Sequence, residues 1–371
     1  MLLHFAPDLV RSILAFIVVL GVLVFVHEFG HYLVARWVGV HVEVFSIGFG
    51  RAITCWTDSV GTVWKLAWLP LGGYVKLHGQ ERPEDASPET RAGWLAGRTF
   101  HEKSVAARAL VVAAGPAANF LLAAVLFAAL FATAGRPVTP PVVNEVLAGS
   151  AAARAGVQPG DRFLSIDGAK IGHFEDIQRI VMGHPDQHLT LLVQRGGGQI
   201  PLDVTTGSRV ADGFRIGLLG ISAPTPAYRR LPPLRAIGAG VAQTWQVIAE
   251  TLGGVWQMLS GRRGTAELGG PLRIAQLSGQ VVALGAASLV SFIALLSVNL
   301  GLINLFPIPI LDGGHLLFYL AEAVRGRPIP PRAQEYGFRA GFALLVGLFV
   351  FVTWNDLTHL GIFRWVAHLI G

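Results

Sequence analysis

His27-Glu28-Phe29-Gly30-His31 gathers two imidazoles and a carboxylate into five consecutive residues. On a helix, residues four apart share one face, so both imidazoles can grip one Zn²⁺ with Glu28 beside it. Glu28 would then act as general base, taking a proton from the attacking water. The setting sharpens the pattern, because it follows directly on an apolar run. Ionisable groups inside a membrane helix cost several kcal/mol unless paired, so they are functional candidates by default. The plain alternative is a pair of interface histidines with a salt-bridged Glu28.

Catalytic zinc usually takes three protein ligands and leaves one position for water. His41 comes too early, in a strand-like segment, and no acid at helical spacing follows Glu43. The other polar cluster at a membrane end runs Asn304-Leu305-Phe306-Pro307-Ile308-Pro309-Ile310-Leu311-Asp312-Gly313-Gly314-His315. By location Asp312 is the best third ligand. It can also cap a helix running from Gly313, and the two roles can coexist. His315 is either a partner beside the ligands or a polar residue in a wet cavity. Asn119 either hydrogen-bonds across helices near the metal or packs the Gly115-Pro116 bend.

These groups need elements to hold them, and the composition says which kind. Of 371 residues, 52% are hydrophobic and only 14% are charged. Soluble domains carry about 25% charged residues, so a wholly soluble chain is not expected and a disordered one is excluded. Cys55 is the single cysteine, which excludes an internal disulfide framework and a Cys-based zinc ribbon. The net charge is +6, but no basic patch is interleaved with aromatics, so no nucleic-acid partner is expected.

A membrane-spanning helix needs about 20 mostly apolar residues. Four stretches qualify: Ser12 through Val34, Val105 to Ala134, Val281 to Phe306, and Ala340 to Leu357. A cleaved signal peptide is not expected at the N-terminus, where no strong basic region precedes the apolar run. The basic loops Arg36–Lys103 and Pro307–Arg339 orient toward the cytoplasm, which leaves both termini and the long segment Gly135–Gln280 outside.

Between the spans, residues 37–103 alternate and turn on glycines, at Phe45-Ser46-Ile47-Gly48-Phe49-Gly50 and Leu69-Pro70-Leu71-Gly72-Gly73-Tyr74-Val75-Lys76. These read as short strands apolar enough to dip into the membrane. Residues 140–208 have the composition of a small globular domain, with strands at Val142–Val146, Phe163–Ile166, Leu189–Gln194 and Gln199–Val204 and a helix over His173–Met182. Residues 209–280 read as a linker followed by an amphipathic, Trp-containing helix at the membrane interface, from Leu234 to Leu259.

The expected architecture is therefore a membrane α-helical bundle of about four transmembrane helices, with a membrane-re-entrant β-loop and one inserted α+β domain. Its segments are 1–36, 37–103, 104–135, 140–208, 209–280 and 281–371. The inserted domain resembles a bacterial protease-associated PDZ domain through Ala155-Gly156-Val157-x-x-Gly160-Asp161-x-x-Leu164-x-x-Ile166-Asp167-Gly168. Such domains often take up a peptide by strand addition, so a peptide C-terminus is a candidate partner; a steric filter with no bound peptide is the alternative.

Taken together, the HExxH motif, the distant Leu311-Asp312-Gly313 and the intervening PDZ-type run resemble the site-2 protease family, in its regulator-of-sigma-E-protease branch. Gly115-Pro116-x-x-Asn119-Phe120, Gly269-Gly270-Pro271 and Asn304-Leu305-x-Pro307-x-Pro309 extend the resemblance along nearly the whole chain. The resemblance implies zinc held by His27, His31 and Asp312, with Glu28 as base. It implies a substrate contact from Asn304; the Gly72-Gly73-Tyr74-Val75 strand would add an edge that accepts an unwound substrate by main-chain pairing. It also implies a bacterial inner-membrane protease with a periplasmic PDZ domain and an active site near the cytoplasmic side. Its substrates would be single-pass membrane proteins of the anti-sigma-factor type, already cut once, or remnant signal peptides. The chain departs from the branch in having room for one PDZ domain where better-known members carry two. Two other classes stay open on residues alone: a non-catalytic membrane scaffold or transport protein, and an anchored protease cutting soluble chains.

Overall fold

The computed structural model describes residues 2–81, 86–211, 214–261 and 269–359. Arg82 of the expected basic loop and residues 360–371 of the expected last segment lie outside them. The chain divides into two compact units. One comprises Met1–Ala129, Ala236–Gly253 and Thr265–Gly371, and the other Leu130–Arg235 and Gly254–Gly264.

The first unit opens with α1 (Leu2–Trp37), whose stretch Val10–Trp37 is apolar enough to cross a membrane. The hairpin of β1 (Val42–Thr57) and β2 (Val63–Leu77) follows. The expected short strands are long ones. β1 has partners on both sides at once: Phe45 pairs with Val75 and Trp64, and Ser46 with Tyr74 and Lys65. The segment Gly73–Leu77 is thereby an outer strand, and among the described residues no further strand pairs with its other edge. A five-residue α2 (Pro88–Ala92) is capped by Ser87, whose hydroxyl accepts from the Thr90 N–H. α3 (Val105–Thr133) is the second candidate span and carries Pro116 inside it.

The second unit holds β3 (Arg136–Val138), β4 (Glu145–Val146), α4 (Ala151–Arg154), β5 (Arg162–Ile166), β6 (Ala169–Lys170), α5 (Phe174–Met182), β7 (His188–Arg195), β8 (Gly198–Thr205), β9 (Gly207–Ala211), β10 (Phe214–Leu218), β11 (Ile221–Ser222) and β12 (Ala227–Arg229). Strands β6-β5-β7-β8 form a four-stranded antiparallel sheet. Alternate residues of β7, namely Leu189, Leu191 and Val193, point into a core with Phe163 and Ile166. α5 closes that core with Phe174, Ile177 and Val181, which share a face by helical spacing.

Two expectations here need correction. The strand expected over Val142–Val146 shortens to β4, with Val142 only bridged to Arg162. The module also runs past residue 208. Ile221 and Ser222 of β11 pair with Val146 and Glu145, and Leu219 is buried in the same core. A two-residue strand is a poor edge alone, so its partner from beyond residue 208 belongs to the fold.

α6 (Pro233–Leu259) follows, then α7 (Pro271–Ala283), α8 (Ala286–Asn304), α9 (Asp312–Arg325) and α10 (Pro331–His359). Among the described residues, four helices qualify as candidate spans: α1, α3, α8 and α10. The third was expected from Val281. The chain breaks at Leu284-Gly285 instead, where Gly285 takes φ +100°, and the span starts at Ala286. The break ends α7 as a separate helix. Its first turn is capped from α10: Asp356, 3% exposed, accepts the N–H groups of Gly270, Leu272 and Arg273 at 2.9–3.1 Å.

α6 covers the expected amphipathic stretch. It buries Ala236, Gly240, Thr244 and Val247, with Gly240 against the backbone of Ala124 and Ala128 in α3. Thr251 donates to Asn299 of α8 at 3.1 Å. Gly240 lets α6 approach the α3 backbone closely, while Val241 and Trp245 stay exposed.

Candidate metal centre

His27, Glu28 and His31 lie inside the apolar stretch of α1 itself. Their i, i+4 spacing brings the two imidazole Nε2 atoms to 3.3 Å. Asp312, the first residue of α9, places Oδ2 3.1 Å from His27 Nε2 and 3.5 Å from His31 Nε2. The chain reaches this position by folding back tightly between α8 and α9. The N–H of Ile308 donates to Phe306 O, that of Leu311 to Ile308 O, and that of Gly314 to Leu311 O. Gly313 and Gly314 pass so close to the carbonyls of Leu305, Phe306 and Ile308 that any Cβ would stand 2.2–2.3 Å from an oxygen. The Leu-Asp-Gly-Gly run is thus a packing requirement that delivers a carboxylate.

The protons can be assigned from partners. His31 Nδ1 lies 2.8 Å from the Val111 carbonyl of α3, which can only accept. His31 therefore carries its proton on Nδ1 and turns the Nε2 lone pair toward Asp312. Asp312 Oδ2 is buried with no hydrogen-bond partner. Lone pairs thus converge from an imidazole and a carboxylate, with the His27 ring closing the group, and a buried cluster of that kind suits a cation. Tetrahedral ligands about 2.0–2.1 Å from zinc stand roughly 3.3 Å apart, which matches the three separations. The donor set fits Zn²⁺, and among the described residues it is the one such group of three.

A cavity of about 600 Å³ opens on this cluster. Glu28 lines it, as do Gly73, Tyr74 and Val75 of the outer strand and Asn304 at the end of α8. A Cβ added to Gly73 would meet Glu28 Cγ at 3.0 Å, so the strand passes directly beside the acid. Gly72 is not brought to the cavity; it lies against the Phe49 ring. His315 lines the cavity with its ring 5.4 Å from that of Phe338. Asn119 is fully buried, with Nδ2 3.1 Å from His27 Nδ1, so it bonds across helices as well as packing.

Sequence reasoning missed three contributors. The Val111 carbonyl is a backbone atom with no signature. Gly115 stands where a Cβ would come within 2.2 Å of His31 Nε2, and the signal for it was the Gly115-Pro116 pair. Arg108 and Glu322 form a half-buried ion pair at 2.7 Å in the cavity wall, although they are far apart in sequence. The outer strand is steadied by Glu43 of β1, which pairs with Lys76 at 2.6 Å and His78 at 2.8 Å. Burial pushes the Glu43 carboxyl up, but those two hydrogen bonds outweigh it and hold it below the usual range.

The chain is similar to known proteins along most of its length. The model of Peptidase family M50 matches residues 15–348. A Rhizobium meliloti protein named "Putative zinc metalloprotease" is 45% identical over 368 residues, covering 95% of this chain and 98% of its own length. Metalloprotease MmpA of Caulobacter vibrioides is 37% identical over 383 residues, covering 95% and 96%. A solved PDZ domain of an SdrC-like protein from Listeria monocytogenes, 17% identical, covers 22% of this chain and 84% of its own with a TM-score of 0.20. With a family model spanning most of the chain and four candidate spans beneath it, the chain belongs to peptidase family M50 and is a multi-pass membrane zinc metalloendopeptidase.

Proposed function

We propose that this enzyme cuts peptide bonds within the transmembrane segments of single-pass membrane proteins. The observation that carries the reading is placement: His27, Glu28 and His31 sit within the apolar stretch Val10–Trp37, not on a segment clear of it. His27, His31 and Asp312 would hold zinc, and Glu28 would take the proton of the attacking water. Bound zinc supplies Lewis acidity, polarising the scissile carbonyl and acidifying a water. A substrate helix hides its carbonyls in internal hydrogen bonds and must unwind locally first. The free edge of Gly73–Leu77 offers main-chain partners that offset the lost helix bonds, and Asn304 offers an amide beside them. In this reading the β1–β2 hairpin is the membrane-re-entrant loop.

The substrates would be anti-sigma-factor-like proteins already trimmed by another protease, or remnant signal peptides. The enzyme would sit in a bacterial inner membrane, with the PDZ-like module on the periplasmic side excluding untrimmed chains or taking up a peptide C-terminus. Expression of Glu28→Gln in the source cells should make such single-pass proteins accumulate as membrane-bound stubs. If no stub accumulates relative to wild type, the reading fails. Neighbouring strand residues point their N–H groups to opposite sides. Of Tyr74→Pro and Val75→Pro, one therefore removes a donor facing the cavity. That variant should lose roughly tenfold or more in turnover with zinc content intact, and unchanged turnover in both would sink strand addition.

A further inference from the structure

The second candidate span turns three positions toward the two histidines, four residues apart each time. The Val111 carbonyl accepts from His31 Nδ1, Gly115 leaves room for the rings, and Asn119 meets His27 Nδ1. Val111 fixes His31 as the tautomer that presents Nε2. For His27 to present Nε2 to the same point as a neutral imidazole, its proton must also sit on Nδ1, and the atom facing it must be an acceptor. The Asn119 amide, with its nitrogen at 3.1 Å, would set a donor against that N–H, while its oxygen is buried with no hydrogen-bond partner. A half-turn about χ2 exchanges the two ends at no cost in shape. The amide oxygen then accepts from His27, and both imidazoles are held by the same helix in the same tautomer. The Asn119 backbone is itself anchored, since Ser297 of α8 donates to its carbonyl at 2.8 Å.

We propose that Asn119 is a positioning residue that grips His27 through its amide oxygen, so that α3 sets both imidazoles for the metal before it arrives. The inference rests on the zinc-site reading above and adds to it one acceptor of stated identity. Partners that orient ligating histidines typically contribute about 10–100-fold in metal affinity.

The test uses the full chain in detergent, with Zn²⁺ affinity read by chelator competition and the site read by its Co²⁺ absorption spectrum. Asn119→Asp keeps the acceptor and loses the amide donor; Asn119→Leu has similar volume and neither. Asn119→Leu should bind Zn²⁺ about 10–100-fold more weakly, with an altered Co²⁺ spectrum. Asn119→Asp should stay within a few-fold of wild type in affinity and keep the wild-type spectrum. Leu121→Ala, at an exposed position on the same helix, is the control and should leave the spectrum unchanged. A folded Asn119→Asp that loses zinc as Asn119→Leu does would overturn the proposal, because the amide donor would then be what matters. So would wild-type affinity in Asn119→Leu. Should Asn119→Leu fail to fold, Asn119→Asp alone decides. If wild-type protein bound no zinc, the metal-site reading itself would fall, which separates the two failures.

Discussion

The helical unit and the β-rich module differ in what they bury beside large apolar side chains. In the module, most fully buried positions are large and apolar, among them Phe163, Ile166, Ile177, Leu189, Leu191 and Val193. Along the helices Val19, Val111 and Val298 are joined by small and polar residues, Ala35, Ala123, Ala294, Ser297 and Asn119, while Val18, Leu121, Val125 and Phe349 lie more than half exposed. In water, burying large side chains drives folding. In lipid the outside is already apolar, so helices associate through close backbone approach and satisfied polar groups. One chain thus obeys two packing rules, and its catalytic groups sit under the second. Adding atoms should damage the helical unit, whereas removing them should damage the module.

Gly115→Ala should give the largest effect. Its methyl would stand 2.2 Å from His31 Nε2 and 2.9 Å from His27 Cε1. Turnover of a reconstituted single-pass substrate should fall by about 100-fold or more, with zinc lost in parallel. Retained zinc and turnover would break the comparison. The converse variant is Leu191→Ala in the β7 core, where truncation should cost about 2–5 kcal/mol. Calorimetry of the full chain should show the module's transition falling while zinc content stays at the wild-type level. If zinc fell equally, the two regions would not be energetically separate.

The smallest effect concerns charge. Asp161 of the module is fully buried. Burial raises its carboxyl, but hydrogen bonds from Arg195 at 2.7 Å and the Gln158 N–H at 2.8 Å outweigh that and lower it. A carboxyl lowered on folding contributes stability above its unfolded value and loses it as pH falls through the folded one. The module's melting temperature should therefore drop as pH goes below about 4, and Asp161→Asn should flatten that drop. An unchanged slope would show that the Arg195 pair contributes nothing to the acid limb.

Much of this was legible in the sequence because it is periodic. His27 and His31 declare their shared face by spacing, and four apolar runs declare the spans. Asp312 has no periodic link to them; location and the resemblance pointed to it, and the Gly313-Gly314 packing explains why it arrives there. What stayed hidden was non-local or carried by backbone. Ile221 completing a strand pair with Val146, and Asp356 capping α7, depend on contacts between distant segments. The double pairing of Phe45 and Ser46 cannot be read from alternation, which gives faces and not neighbours. The amphipathic pattern of α6 does not name its neighbours, which the contacts of Gly240 with α3 and of Thr251 with Asn299 supply.

The central claim is that the α1 histidines and the α9 carboxylate share one zinc ion. Metal analysis of purified full-length protein tests it most directly, with Asp312→Ala and Glu28→Gln measured beside wild type. The account predicts about one zinc per chain in wild type and in the inactive Glu28→Gln, and loss of zinc in Asp312→Ala. Full zinc occupancy with undiminished proteolysis in Asp312→Ala would contradict it.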